Sequence, residues 1–440
     1  MKRYRKQSGS IEPAPKDGCP SRSRHAAAAL LFLLTLFAAP IAGAGDESAA
    51  PRDEPPLGPP PGSYKITSKD GRVRIPFEMF RGDIRMQARV NGKNVRMLLD
   101  NGFLWDQLLF FGSPAVDALG LEYDGEIDVG GSGEGNPIKS HTASGITITF
   151  PGVEFYEQTA VITPYSSGIS KMWWGCEGQV SAAFFKHFVV QIDFDAMVIT
   201  LIEPEAFEYT GKGAQIPMKQ LVPSAFGIPA TLTLSDGREV SLDLMIDLGD
   251  SNPLELSTVG PNKIALPEKA IAASLGYGVQ GEFRGHYGRV QSVEIGGYCK
   301  RNVIATFSAS RGGVSRFHDA MIGMGLLERF NIIFDYPSRR LFIEPNKRFA
   351  EPFEYDMSGL SLGTGGEGYL LITRVHPGSA AEEAGLRVGE RVTRIDGRAA
   401  ADYDSWDLRP LMRKAGRQVT LTVVRDGDEV AVPITLRRLL

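Results

Sequence analysis

Apolar and polar residues alternate over short runs along most of this chain, and Gly, Asn and Asp break the runs, which predicts short strands joined by turns. Residues 84–90 read as a strand, Asn91-Gly92 as a hairpin turn, and residues 95–99 as a second strand running into Asp100. The second half repeats the device: residues 230–234, a turn at Asp236-Gly237, and residues 240–246 leading to Asp247. In each half a wholly apolar strand end delivers an aspartate, and a glycine two residues later permits a tight turn that projects the carboxylate. Residues 184–188 and 326–330 are long enough for a short helix between strands.

The order of landmarks is duplicated. Met97-Leu98-Leu99-Asp100-Asn101-Gly102, then Gln179-Val180-Ser181-Ala182-Ala183-Phe184-Phe185, then Gln191-Ile192-Asp193-Phe194 make one copy. Leu244-Met245-Ile246-Asp247-Leu248-Gly249, then Met321-Ile322-Gly323-Met324-Gly325-Leu326-Leu327, then Ile333-Phe334-Asp335-Tyr336 make the other. Asp-x-Gly alone carries little, because it is ordinary turn chemistry and occurs a third time at Asp128-Val129-Gly130. The repeated register carries the information, and it predicts two β lobes that bring one carboxylate each to a common seam.

This pattern resembles the bacterial two-lobed retropepsin-like or pepsin-like aspartic peptidases. The resemblance implies that Asp100 and Asp247 are the catalytic pair, that Gly102 and Gly249 lie beside bound substrate, and that peptide bonds are hydrolysed by an activated water without a cofactor. Two carboxylates held close cannot both ionise, so one keeps a proton while its partner acts as base. The chain departs from the family pattern where a hydroxyl usually follows each Asp, since Asn101 and Leu248 stand there. Phe103 and Asp250 follow the glycines, and Ser181 replaces the glycine kept at Gly323. These departures leave a second reading, a degenerate lobe pair that binds peptides without cutting them. A flap is expected at residues 130–135, with Gly131 and Gly133 touching substrate, and its second-lobe counterpart at residues 283–289. Trp173-Trp174 is a candidate groove lining, with burial as the alternative.

Beyond Pro345 the pattern changes to strand 369–375, turn 376–379, short helix 380–384, strand 391–395, helix 404–414 and a hairpin about Asp426-Gly427. Its order and the run Gly378-Ser379-Ala380-Ala381-Glu382-Glu383-Ala384-Gly385-Leu386 resemble bacterial PDZ domains. That resemblance implies a C-terminal peptide ligand, held by a loop and strand at Gly366, Gly368, Tyr369 and Leu370. Gly363-Thr364-Gly365-Gly366-Glu367-Gly368 also spells a dinucleotide fingerprint, but no βαβ unit surrounds it.

Composition changes this picture mainly at the ends. The net charge of −4 excludes an electrostatic nucleic-acid surface, and no cysteine or histidine spacing suits zinc. Residues 1–25 hold seven Lys or Arg against two acids and precede an apolar stretch too short to span a bilayer comfortably, closing on Ala42-Gly43-Ala44. This is the layout of a secretory signal, so the mature chain is expected to be periplasmic or secreted, with membrane attachment only through an uncleaved leader. Cys176 and Cys299 would remain, one per repeat, paired or free. The expected organisation is signal 1–44, Pro-rich linker 45–66, lobes 67–208 and 209–347, and a PDZ module 348–440. The fold class expected is mainly β, with two duplicated lobes and a small α/β tail domain.

Overall fold

The computed structural model describes residues 62–440, apart from 104, 173–174, 223, 261, 263, 310–318, 367 and 404. The expected signal segment, Cys19, nearly all of the linker and Trp173-Trp174 lie outside the described residues. Among the described residues no helix is long and apolar enough to cross a membrane.

Strand periodicity decides the architecture. In Arg72–Phe80 the residues Val73, Ile75 and Phe77 are buried while their neighbours face solvent, so one face of the strand packs and the other is wet. Lys93–Leu99 begins exposed and ends with Met97, Leu98 and Leu99 all buried, because both faces of its end are covered. It is the outgoing arm of a hairpin with Asp83–Val90, closed at Asn91 and Gly92, both with positive φ.

The duplication read in the sequence is a duplication of topology. Lys93–Leu99 runs parallel to Gly178–Val180, which pairs antiparallel with Leu108–Phe111. Glu239–Ile246 runs parallel to Ala320–Ile322 in the same way, and Ala320–Ile322 pairs antiparallel with Leu254–Ser257. Leu99 faces Val180 as Ile246 faces Ile322, so the two strand ends occupy equivalent registers. The closing strands of the repeats, Val189–Asp193 and Phe330–Asp335, pair antiparallel through Gln191 and Ile333, giving both lobes a shared sheet. The apolar core runs through both lobes without a break. Each expected mid-lobe helix starts earlier than its aromatic residues suggested, at Ala182–His187 and Met324–Leu327, and Phe330 begins a strand instead.

One boundary shifts. Tyr64–Ile66 was expected to close the linker, but it pairs with Val153–Thr163, and the Tyr64 ring packs 4.6 Å from Phe188, so the first lobe claims it. His187 packs on the same ring, a structural place. Cys176 is a free, buried thiol, pushed up to about 11 chiefly by burial, and so does not bond Cys299.

The C-terminal domain has its own core of Ile372, Val392, Ile395, Leu408, Val419, Leu421 and Val423. Its strands run in the order Leu360–Gly366, Tyr369–Val375, Arg391–Ile395, Gln418–Arg425, Asp428–Thr435, with the helix Ser405–Met412 beside them. It sits against the second lobe, where Arg374 Nη1 donates to Ala272 O at 2.8 Å and the rings of Tyr287 and Tyr355 lie 4.8 Å apart, and against the first, where a β-carbon on Gly82 would lie 2.8 Å from the Trp406 ring.

Candidate active site

Both aspartates leave their strands at the same place. The Asp100 N–H donates to Val180 O and the Asp247 N–H to Ile322 O, each at 3.0 Å, so the last ladder bond of each strand fixes where its carboxylate starts. Each then turns back on its own loop: Gly102 N–H donates to Asp100 Oδ1 at 2.8 Å and Gly249 N–H to Asp247 Oδ1 at 2.7 Å.

The two loops pack crosswise. A β-carbon on Gly102 would lie 2.2 Å from Asp247 Cγ, and one on Gly249 would lie 2.5 Å from Asp100 Cγ. Each carboxylate therefore rests on the glycine of the opposite lobe, a closeness only a missing side chain permits. The charge of Asp100 acts directly on Asp247, and two carboxyls this close do not both ionise. The structure thus brings Asp100, Asp247, Gly102 and Gly249 together.

The brace between the lobes is one-sided. Leu248 N–H donates to Asn101 Oδ1 at 2.7 Å, and Asn101 Nδ2 donates to Tyr336 Oη at 2.9 Å. Sequence reading counted the hydroxyl bracing lost on both sides. Instead the Asn101 carboxamide supplies the link from its side, and Leu248 contributes its backbone while its side chain joins the core. Ser181 has its own use in place of glycine, donating its hydroxyl to Trp105 O at 2.6 Å.

The pair is electrostatically asymmetric. Burial raises Asp100, opposed by N–H donors from Gly102 and Phe103, by Gln179 and by Asp247. Burial pushes Asp247 well above the usual carboxylate range, and the charges of Asp100 and Asp250 push it further. Gln179 Nε2 reaches Asp100 Oδ2 at 2.8 Å, whereas the equivalent register position in the second lobe holds Met321. The donors favour negative charge on Asp100 and the proton on Asp247. Gln179 had no role in the sequence reading, although a polar residue opening an otherwise apolar turn was the available signal.

Three more acids surround the pair. Asp250 is raised to about 6 by burial despite two bonds from Asn252, and Glu255 to about 8 by burial and by Asp250. Asp83 is 2% exposed, with neither oxygen hydrogen-bonded, and burial followed by Asp100, Asp250 and Asp247 raises it well above its ordinary value. A buried acid with a raised value holds its proton when the unfolded chain has released it, so stability falls as pH rises through that window. Asp83→Asn is therefore expected to raise the melting temperature at pH 8. The gain should vanish near pH 3.5, where the acid is protonated in both states, and thermal melts across that range check both parts.

A roof closes the cavity from both lobes. Gly131 N–H donates to Gln280 Oε1 at 3.0 Å, Gly135 N–H to Gln280 O at 2.8 Å, and Gln280 N–H to Ser132 O at 2.9 Å. A β-carbon on Gly133 would meet the Gln280 carbonyl carbon at 2.3 Å. Gly131 thus holds the opposite flap and lines the cavity, whereas Gly133, expected to touch substrate, packs against that flap and is not part of the lining. The second-lobe tip lies at Gly278–Gly281 rather than at 283–289, which belongs to the long strand Gly281–Ile295. The cavity beneath it is about 620 Å³, and Trp406 of the C-terminal helix forms part of its wall.

The expected peptide strand in the C-terminal domain needs correction. Tyr369–Val375 is interior: Leu370 and Leu371 face Thr364 and Gly363 on one side and Val392 and Arg391 on the other, so its ladder bonds are taken. Gly366 pairs with Tyr369 around Gly368, whose φ is +88°, making these three a hairpin turn. The sheet edge on that side is Leu360–Gly366. Tyr369 and Leu370 do line a second cavity, about 1240 Å³, between this domain and the lobes. Ser251, Asn252, Tyr277 and Trp406 line both cavities, so the two adjoin.

Residues 371–425 match the PDZ-domain family model. No curated protein matches the chain. Among solved structures it is similar to the aspartic proteinase from Irpex lacteus, at 13% identity and a TM-score of 0.44, over 64% of this chain and 99% of that chain. A similarity of that size carries no functional assignment.

Proposed function

We propose that this chain is an exported aspartic-type endopeptidase whose PDZ domain recognises a peptide or protein partner. The observation that carries the reading is the crossed packing of Asp100 and Asp247, each on the other lobe's glycine. Export rests on the basic, then apolar, then Ala-x-Ala start of the sequence.

In this reading a water lies between the carboxyls. Asp100, supplied with more donors, takes the water's proton as its oxygen attacks the peptide carbonyl carbon, and Asp247 gives its proton to the carbonyl oxygen. The proton gained by Asp100 then passes to the amide nitrogen as the C–N bond breaks, and Asp247 takes back a proton from a hydroxyl of the tetrahedral intermediate as the carboxyl product forms. Cleavage assays on peptide libraries from pH 3 to 8 test this, and a pure chain that cuts nothing across that range would sink it. The observation favouring binding without cleavage is Leu248, whose side chain returns no bond across the seam.

The pH profile has a defined direction. Hydrolysis needs the pair singly protonated, so activity falls on the alkaline side when the second proton leaves. Burial and two negative neighbours hold that proton more tightly, which extends activity toward neutral pH. Asp250→Asn removes one of those charges and is expected to move the alkaline limb of the profile to lower pH; an unmoved limb would show that Asp250 does not act on the pair.

A further inference from the structure

The cavity around the aspartate pair is lined by Asp83, Asp100, Asp247, Asp250 and Glu255, and among the described residues by no lysine, arginine or histidine. Hydrolysis employs two of these acids. Of the others, Asp83 has both oxygens buried without a hydrogen-bond partner, and Asp250 has Oδ2 in the same state. They neighbour each other: a β-carbon on Gly82 would lie 3.0 Å from Ser251 Cβ, and the charge of Asp250 acts on Asp83. Buried carboxyl oxygens without donors are costly, and such groups are retained where something else supplies the donors. Both residues line the cavity, which is large enough for a side chain.

We propose that Asp83 and Asp250 form a subsite for the cationic side chain of a lysine or arginine in a polypeptide bound across the aspartate pair. The ammonium or guanidinium supplies the missing donors and favours the ionised form of both acids. Its aliphatic stem has apolar walls to follow, because Tyr277 and Trp406 line the same cavity. The molecule already draws a cation to this place. Arg409 of the C-terminal helix stacks 3.4 Å over the Trp406 ring, and its charge acts on Asp83 from outside the cavity. The subsite deepens the hydrolytic reading by naming a substrate class, but its binding does not require bond cleavage.

The test uses the full chain carrying Asp100→Asn, so that peptides are held without being cut. Fluorescein-labelled decapeptides are prepared in pairs that differ only by lysine or norleucine, with the position moved along the peptide, and binding is followed by anisotropy. The lysine member is expected to bind roughly tenfold tighter at one position or more. Adding Asp83→Asn or Asp250→Asn should bring that ratio close to one, while the norleucine member reports that the chain still folds and binds. Equal affinity in every pair, including no binding by either member, overturns the proposal, as does a lysine preference that survives both substitutions. Lysine-selective binding by a wild-type chain that cuts nothing would keep the subsite and remove the peptidase reading. Cleavage of neutral peptides with no lysine preference would do the reverse.

Discussion

Asp247→Asn is expected to lower peptide hydrolysis by roughly 10²–10⁴-fold, the range for removing a positioned acid or base. Asp100→Asn should have an effect of the same order, because the two carboxyls act on one water and neither role can be filled by an amide. Asparagine keeps the size of each side chain, so the crossed packing on Gly102 and Gly249 need not change. Loss of rate without loss of melting temperature would therefore separate chemistry from folding. The asymmetry of donors gives a finer expectation. Asp247 is pushed well above the ordinary range, so folding at neutral pH has to take up a proton there; asparagine needs none, and Asp247→Asn should melt no lower than wild type at neutral pH. Turnover of a quenched fluorescent peptide beside thermal melts provides both readings; a variant retaining more than about a tenth of wild-type turnover would contradict the paired mechanism.

Gly102→Ala should be as damaging by a different route. The added methyl would stand 2.2 Å from both Cγ and Oδ1 of Asp247, well inside contact distance. Asp247 cannot simply swing away, since Gly249 N–H holds its Oδ1 and its own N–H is tied to Ile322 O. Relief requires the loops to part, which also lengthens the Leu248 to Asn101 bond across the seam. Overpacking of this kind costs about 1–3 kcal/mol or more, which in lobes of this size lowers the melting temperature by several degrees. Hydrolysis should fall with it, because the carboxyls no longer share a water. An alanine variant with normal turnover and an unchanged melt would mean that the glycine is dispensable.

The sequence made the duplicated strands, the two Asp-x-Gly loops and the tail domain legible, because each rests on local periodicity and turn chemistry repeated in register. What escaped it depends on contacts between distant segments. Asp83 drew no attention in the sequence; only folding places it next to Asp250 and leaves its oxygens without donors. Asn101 stood out only as a departure from the usual hydroxyl, because its partners, Leu248 N–H and Tyr336 Oη, lie in the other repeat. In the tail domain the glycine-rich stretch suggested a ligand loop, yet pairing decides edges, and the strand after it is covered on both sides. The flap of the second lobe was placed too late because glycines occur along its strand as well as at its tip.

Gln280 holds the two flap tips together by backbone and side chain alike, with its Nε2 donating to Gly135 O at 2.7 Å as well. In the peptidase reading, a polypeptide has to wait for that latch to release before its backbone can be laid across the carboxyls. If release is the slow event, turnover should be nearly the same in heavy and ordinary water even though protons move in the chemical step. Loosening the latch with Gln280→Ala should then uncover the solvent isotope effect that the intact roof conceals.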